Sequence, residues 1–367
     1  MVLELRSEAA TLTGKLVDSS TVVQQVVESV RVLDKAQANT RKALDRTVDV
    51  VGLKSCVEEV STAMAHEEWE QAATSIQRYL HVAPEDSVTE EAALQSLQKS
   101  LEELRRVVQE KCQDAAEARD QAAVVRFCGL MTQIGLEMDG VSRYTQFLGM
   151  RVQAGAEEQV AGLKSMVNMG ATGGNVALYA KALTSVLEVA ASAVAEGEEM
   201  MHKNFGPDGH QQMVQVVYSK AAPSIADVLE LMYNTKSVKA KISKYRDATQ
   251  LDHKVALELD VLLEEISLCL QRLEQFNWFL ASKLHAAKGD AIPSSANDLP
   301  RVVAIDVKKA ELISGYIPLE EAFLRHSVEK AIRSNHHDTD DDTKTSVVVD
   351  EVFFVLKKCT RRALATS

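Results

Sequence analysis

The residues best suited to chemistry are few and scattered. His336 and His337 stand beside Asp338, Asp340, Asp341 and Asp342, so imidazoles and carboxylates converge on one short stretch. That set of donors suits a divalent cation. The pattern lacks the Gly at the sixth place and the Glu at the twelfth that an EF-hand loop needs, so the segment reads as a solvated acidic loop. Gly173-Gly174 is the one double glycine. It lies between helical segments and lacks the lysine and hydroxyl residues of a phosphate-binding loop. Paired acids such as Glu264-Glu265 and Glu320-Glu321 are expected among 53 carboxylates and read as solvated helix faces. His66 and His81 are isolated, and no nucleophile motif of the GxSxG type or HExxH pair occurs. The reading is of a non-enzyme with no cofactor and no metal.

Cys56, Cys112, Cys128, Cys269 and Cys359 are odd in number and form no CxxC pair. Zinc ribbons and redox motifs of that type are therefore not indicated, and small buried hydrophobes in a reducing compartment are. Trp69 and Trp278 read as core anchors. A net charge of −12 argues against nucleic acid as a partner, because phosphate attraction needs a basic surface. The opening residues have no apolar core of signal-peptide type. No run of 18 uncharged apolar residues occurs; the nearest, 173–195, is interrupted by Lys181 and Glu188, so no membrane span is expected.

The elements that must carry any function are helices. Gly and Pro together are 22 of 367 residues and aromatics only 5%, which favours an all-α chain. Alternating steps of four and three from Leu5 give Leu5, Ala9, Leu12, Leu16, Ser19, Val23, Val26, Val30, Leu33, Gln37, Thr40, Leu44, Thr47 and Val51. Ten of these fourteen are apolar, so they form the seam of a coiled coil about 70 Å long. A stripe that narrow on a helix that long is buried only by other helices. Leu5, Leu12, Leu16, Val23, Val26, Val30, Leu33, Leu44 and Val51 are therefore the candidate partner-binding residues. Residues 1–51 form this arm, and 52–367 a series of helices with short loops.

Within that series a hairpin is expected over 53–82, ended by Pro84. A helix over 87–119 follows, opened by a Ser87/Glu90 capping box and buried through Leu94, Leu97, Leu101, Leu104, Val108 and Cys112. Further helices are expected at 120–133, 137–168, 175–203 and from His210, with Pro223 kinking or restarting the last. Then comes 251–285, with Val255, Leu259, Leu262, Ile266, Leu270, Leu273 and Leu280 on one face. Shorter helices are expected at 301–314, 318–334 and 347–365. The last could be taken for a strand by its β-branched content, but Val348, Val352, Val355 and Leu356 also fit a helical face.

Several stretches, taken in order, resemble subunit 4 of the conserved oligomeric Golgi complex, in its N-terminal half. They are EEWEQAATSIQRYLHV at 67–82, VVRFCGLMTQIGLEMDGVSRYTQFL at 124–148, HKNFGP at 202–207, SGYIPLEEAFLRHSVEKAI at 314–332 and VDEVFFVLKKCTRRALATS at 349–367. The resemblance implies a helical-rod tether subunit that scaffolds retrograde intra-Golgi vesicle transport. It implies a peripheral location on the cytosolic face of Golgi membranes. Implied partners are the other subunits of the complex, especially subunits 1 to 3 of its first lobe, together with Golgi syntaxin-type SNAREs and their SM-family regulator. Members of the family continue well past the VFFVLKKC-like helix, so the rod is expected to be truncated here and its terminal helices to leave apolar faces uncovered. The alternative is a coiled-coil adaptor or a subunit of a different tethering complex.

Overall fold

The computed structural model describes residues 2–82, 91–170, 177–246, 251–288, 303–334 and 347–366. Every regular element among them is an α-helix. The helices are α1 (Val2–Ala65), α2 (Trp69–Val82), α3 (Glu91–Glu117), α4 (Gln121–Gln133), α5 (Glu137–Asn168), α6 (Leu178–Asn204), α7 (Gly206–Thr235), α8 (Val238–Tyr245), α9 (His253–Lys288), α10 (Val303–Ser334) and α11 (Val347–Thr366). The chain is all-α, as its composition and periodicity require. It divides into two units, one of residues 1–111 with 133–135, the other of residues 112–132 with 136–367.

In the first unit α1 is one unbroken helix of 64 residues, about 96 Å long. Gly52 does not interrupt it. What changes there is burial: Leu53, Cys56, Val60 and Ala63 are covered, and so are Trp69, Ala72, Ala73 and Ile76 of α2, the helix that packs on α1. The spacing of three and four on both helices makes this a helical hairpin. Its turn is closed by a Schellman pair, Glu68 N–H to Ala63 C=O at 2.8 Å and Glu67 N–H to Met64 C=O at 3.3 Å. Glu67 takes the left-handed conformation this requires, with φ 59°. The same device ends α3, where Arg119 has φ 57°. Asp120 then caps α4 by accepting from the Ala123 N–H at 3.1 Å. On α3, Leu97, Leu104, Val108 and Cys112 are buried and Leu101 is half-buried. The Ser87/Glu90 box lies outside the described residues, as do Gly173-Gly174, the 336–342 loop and the side chains of Leu94 and His81.

In the second unit α5, α6 and α7 pack against one another. Their shared core is Tyr144, Leu148, Val152, Ala156, Leu183, Val186, Ala190, Met213, Val217 and Ile225. α9 lies on α6 and α7, α10 on α7, α8 and α9, and α11 on α9 and α10. The expected face of α9 is buried at Leu259, Leu262, Ile266, Leu270, Leu273 and Leu280, with Val255 half-buried. α6 is long and apolar enough to cross a membrane by composition alone. Its apolar side chains are instead spent on this core.

Three expected breaks are absent or smaller. α10 runs through Pro318 as one helix, and α7 runs through Pro223. A proline inside a helix removes one backbone hydrogen bond and costs about 3 kcal/mol. Tyr316, Leu319, Ala322 and Phe323 are buried around the first, and Ala221, Ala222 and Ile225 around the second. That burial exceeds the cost. The turn cluster at 204–209 contracts to Phe205, with Gly206 at φ 66° and Pro207 in the first turn of α7. Trp278 is half exposed, at 50%, and is not a core anchor. Its position on α9 falls between the buried Phe276 and Leu280.

Candidate interaction surface

Among the described side chains of α1 before Leu53, the apolar ones from Leu12 to Val51 are exposed, apart from a half-buried Val50. Leu12 is 61% exposed, Val26 55%, and Leu16, Val23, Val30, Leu33, Leu44 and Val51 are exposed with them. The side chain of Leu5 lies outside the described residues. The helical spacing places these residues on one stripe. Two of the polar places on the stripe are already satisfied within the helix: Thr40 and Thr47 donate to the C=O of Ala36 and Ala43, each at 2.8 Å. Back-bonded in this way, a threonine presents its methyl group outward without an open hydroxyl donor. A partner can therefore cover the stripe without stranding those polar groups.

The strict four-three stepping does not take in every exposed valine of this region. Val22 and Val27 are also exposed. They lie next to Val23 and Val26 on the helix, so the stripe widens in its middle to an apolar face of Val22, Val23, Val26, Val27 and Val30. A two-stranded seam does not need that width, whereas contact with two neighbouring helices does. The signal was in the sequence as the doubled valines. A second uncovered set lies on α11, where Val349, Phe353, Phe354 and Leu364 are exposed, and with them Leu356, expected on the same face as Val348, Val352 and Val355. Its opposite side, with Val348, Val352 and Val355 half-buried and Cys359 and Arg362 buried, faces the unit.

The other polar centres are internal. Arg362 is 1% exposed and ties α11 to α9 and α10. Its guanidinium donates to Asp260 Oδ1 at 2.8 Å and Glu320 Oε1 at 2.7 Å, and lies 5.0 Å from the ring centroid of Phe323. Such a guanidinium, paired on two sides and stacked on a third, holds helices together and offers no free edge to a ligand. Glu265 on α9, also buried, accepts from the Tyr179 N–H at 2.9 Å and pairs with Lys236 at 3.2 Å. It thereby neutralises the positive end of α6. These are not the solvated faces expected of the Glu264-Glu265 and Glu320-Glu321 pairs: Glu265 and Glu320 are both buried. Among the described residues no group of three His, Cys, Asp or Glu is arranged to hold a metal. His66 is exposed.

Residues 126–367 match the family described as "COG4 transport protein, middle alpha-helical bundle", and residues 2–98 match "Conserved oligomeric Golgi complex subunit 4, N-terminal". Curated relatives called conserved oligomeric Golgi complex subunit 4 align along almost the whole chain. The protein of Mus musculus is 26% identical over 99% of this chain and 49% of its own length, and that of Arabidopsis thaliana 24% identical over 99% and 50%. The Drosophila melanogaster protein is 22% identical over 98% and 52%. The chain thus spans about half the length of the curated relatives it matches. No solved structure matches it. The matched bundle takes in α5 to α11 and the matched N-terminal segment takes in α1, and on these grounds the chain belongs to the family of conserved oligomeric Golgi complex subunit 4.

Proposed function

We propose that this chain is a non-catalytic scaffold subunit of a Golgi vesicle-tethering complex. In this reading α1 is its assembly element, and the stripe through Leu5, Leu12, Leu16, Val23, Val26, Val30, Leu33, Leu44 and Val51 enters a helical bundle with sister subunits. The observation that carries the reading is the exposure of that stripe along one continuous helix, with its threonines already satisfied. The sister subunits meant are those of the first lobe, subunits 1 to 3. Docked through them at the cytosolic face of Golgi membranes, the chain serves retrograde intra-Golgi vesicle transport. It does so alongside syntaxin-type SNAREs and their SM-family regulator. Family membership supports the complex, and the apolar stripe supports helices as the binding chemistry. Affinity purification of the chain from its own cells, with identification of the bound proteins, tests this. Recovery of the sister subunits is the expected result; recovery of another tether's subunits in their place overturns it.

A further inference from the structure

Cys112, in the last turns of α3, and Cys128, in α4, bring their sulfurs within 3.5 Å of each other. Both are buried. The other three thiols have different neighbours: Cys56 donates to the Ser75 C=O, Cys269 meets Met232 Sδ, and Cys359 lies by Arg362. Cys112 also lines a groove of about 600 Å³ bounded by the end of α3, the start of α4 and α5, where Val124, Phe147, Arg143 and Arg151 are further lining residues. A disulfide has an S–S distance of about 2.05 Å, so the two sulfurs must close by roughly 1.5 Å. We propose that Cys112 and Cys128 form a reversible oxidation site, in which a small hydroperoxide entering this groove converts the dithiol to an intramolecular disulfide.

The surroundings assign the roles. The two thiols share a hydrogen bond in which either sulfur can donate; it draws the Cys112 thiol below its usual value against the opposing effects of burial and Asp139, with Arg143 acting in the same direction as the bond. The same hydrogen bond, with burial, pushes Cys128 up. Arg143 is held in place by Asp139 at 2.9 Å. Cys112, which lines the groove where Cys128 does not, is therefore the nucleophile and Cys128 the resolving thiol. The Cys112 thiolate attacks one peroxide oxygen, the O–O bond breaks, and the departing hydroxide takes up the thiol proton as water. The sulfur is left as a sulfenic acid. Cys128 then loses its proton, forms the S–S bond and expels the sulfenic oxygen as a second water. Two thiols and one hydrogen peroxide give one disulfide and two waters: sulfur is oxidised and peroxide oxygen reduced. A thiol reductant reverses the change by exchange. The bond ties the end of α3 to α4.

The test treats the purified 367-residue chain with hydrogen peroxide in native buffer, quenches, unfolds and alkylates it, and reads the intact mass. Circular dichroism establishes that the fold persists through the treatment. The expected result is three alkylated thiols out of five, a peptide map joining the Cys112 and Cys128 peptides, and five thiols again after dithiothreitol. In Cys128→Ala, dimedone labels Cys112, and Arg143→Gln slows disulfide formation several-fold in the otherwise intact chain. Five free thiols in the treated, still folded protein overturn the proposal, and so does a cross-link through any other cysteine.

Discussion

The sharpest test of the assembly surface is the double substitution Leu12→Asp with Val26→Asp. Both side chains are more than half exposed in the chain alone, so neither carries its own fold. Full burial of a leucine or valine side chain stabilises by about 1.5–3 kcal/mol. With roughly half of each still to be covered, each contributes about 1 kcal/mol when a partner arrives. An unpaired carboxylate put in its place adds a desolvation cost of about 2 kcal/mol. The pair therefore weakens association by about 6 kcal/mol, or about ten-thousand-fold at 1.4 kcal/mol per decade. The assay is titration of sister subunits onto the immobilised chain, with helicity followed by circular dichroism. The ellipticity of the variant should fall little, since aspartate in an exposed helix costs only about 0.5 kcal/mol. Leu12→Met with Val26→Ile, which keeps the stripe apolar, serves as control and binds within a few-fold of the parent. Binding of the aspartate variant within tenfold of the parent, at unchanged helicity, would refute the claim that this stripe is the contact.

Further expectations concern the two units themselves. Val60→Ala on the buried part of α1 should lower stability in urea by about 1–2.5 kcal/mol, while Leu33→Ala on the exposed part should leave it within about 0.5 kcal/mol. Arg362→Met leaves the buried carboxylate of Glu320 without its cation and Asp260 with Lys358 alone, and should cost about 3–5 kcal/mol, read as a lowered unfolding midpoint. Burial acts to raise the Asp260 carboxyl, but hydrogen bonds from Lys358 and Arg362 outweigh it and hold the group below its ordinary 3.8. Its contribution to stability is thus present above that value and lost as pH falls through the lower folded value, and Arg362→Met should shrink this acid limb in melts between pH 5 and 3. His210 is buried with neither ring nitrogen partnered. Burial, then the neighbouring His202, pushes its imidazole below 6.5, with Lys283 adding and Glu198 opposing. The unfolded chain therefore takes up the proton first, so stability should drop as pH falls from 7.5 to 5.5, and His210→Leu should flatten that slope.

Much of this architecture was legible in spacing alone. The long helix and its stripe follow from Leu12, Leu16, Val23, Val26 and Val30 at steps of three and four, and the α9 face from Leu259 to Leu280 in the same way. Stop signals were less informative. Pro223 and Pro318 look like breaks because a proline loses a local hydrogen bond, and nothing local shows the burial on both sides that outweighs it. Trp278 looked like an anchor by residue type, yet it falls between the buried turns of α9. Glu265 and Glu320 looked like members of ordinary charged surfaces. Their burial depends on helices distant in sequence, Tyr179 with Lys236 for the first and Arg362 for the second, and one-dimensional patterning holds no trace of such pairings. The width of the exposed apolar face escapes the stepping for a simpler reason: a strict heptad grid passes over Val22 and Val27, although adjacent valines flag a broader face.

The uninterrupted passage of α1 through Gly52 has a mechanical consequence. The residues packed on α2 and the exposed stripe sit on one stiff shaft, with no joint between them. Each residue advances the helix by a fixed angle of about 100°, so the bearing of the stripe at Val51 is locked to that of Leu53 two residues on. In the proposed assembly, a bundle that clamps the stripe therefore sets the azimuth of the hairpin as well. Insertion of a single residue near Gly52 would twist one grip against the other by more than a quarter turn, while leaving every contact in each intact.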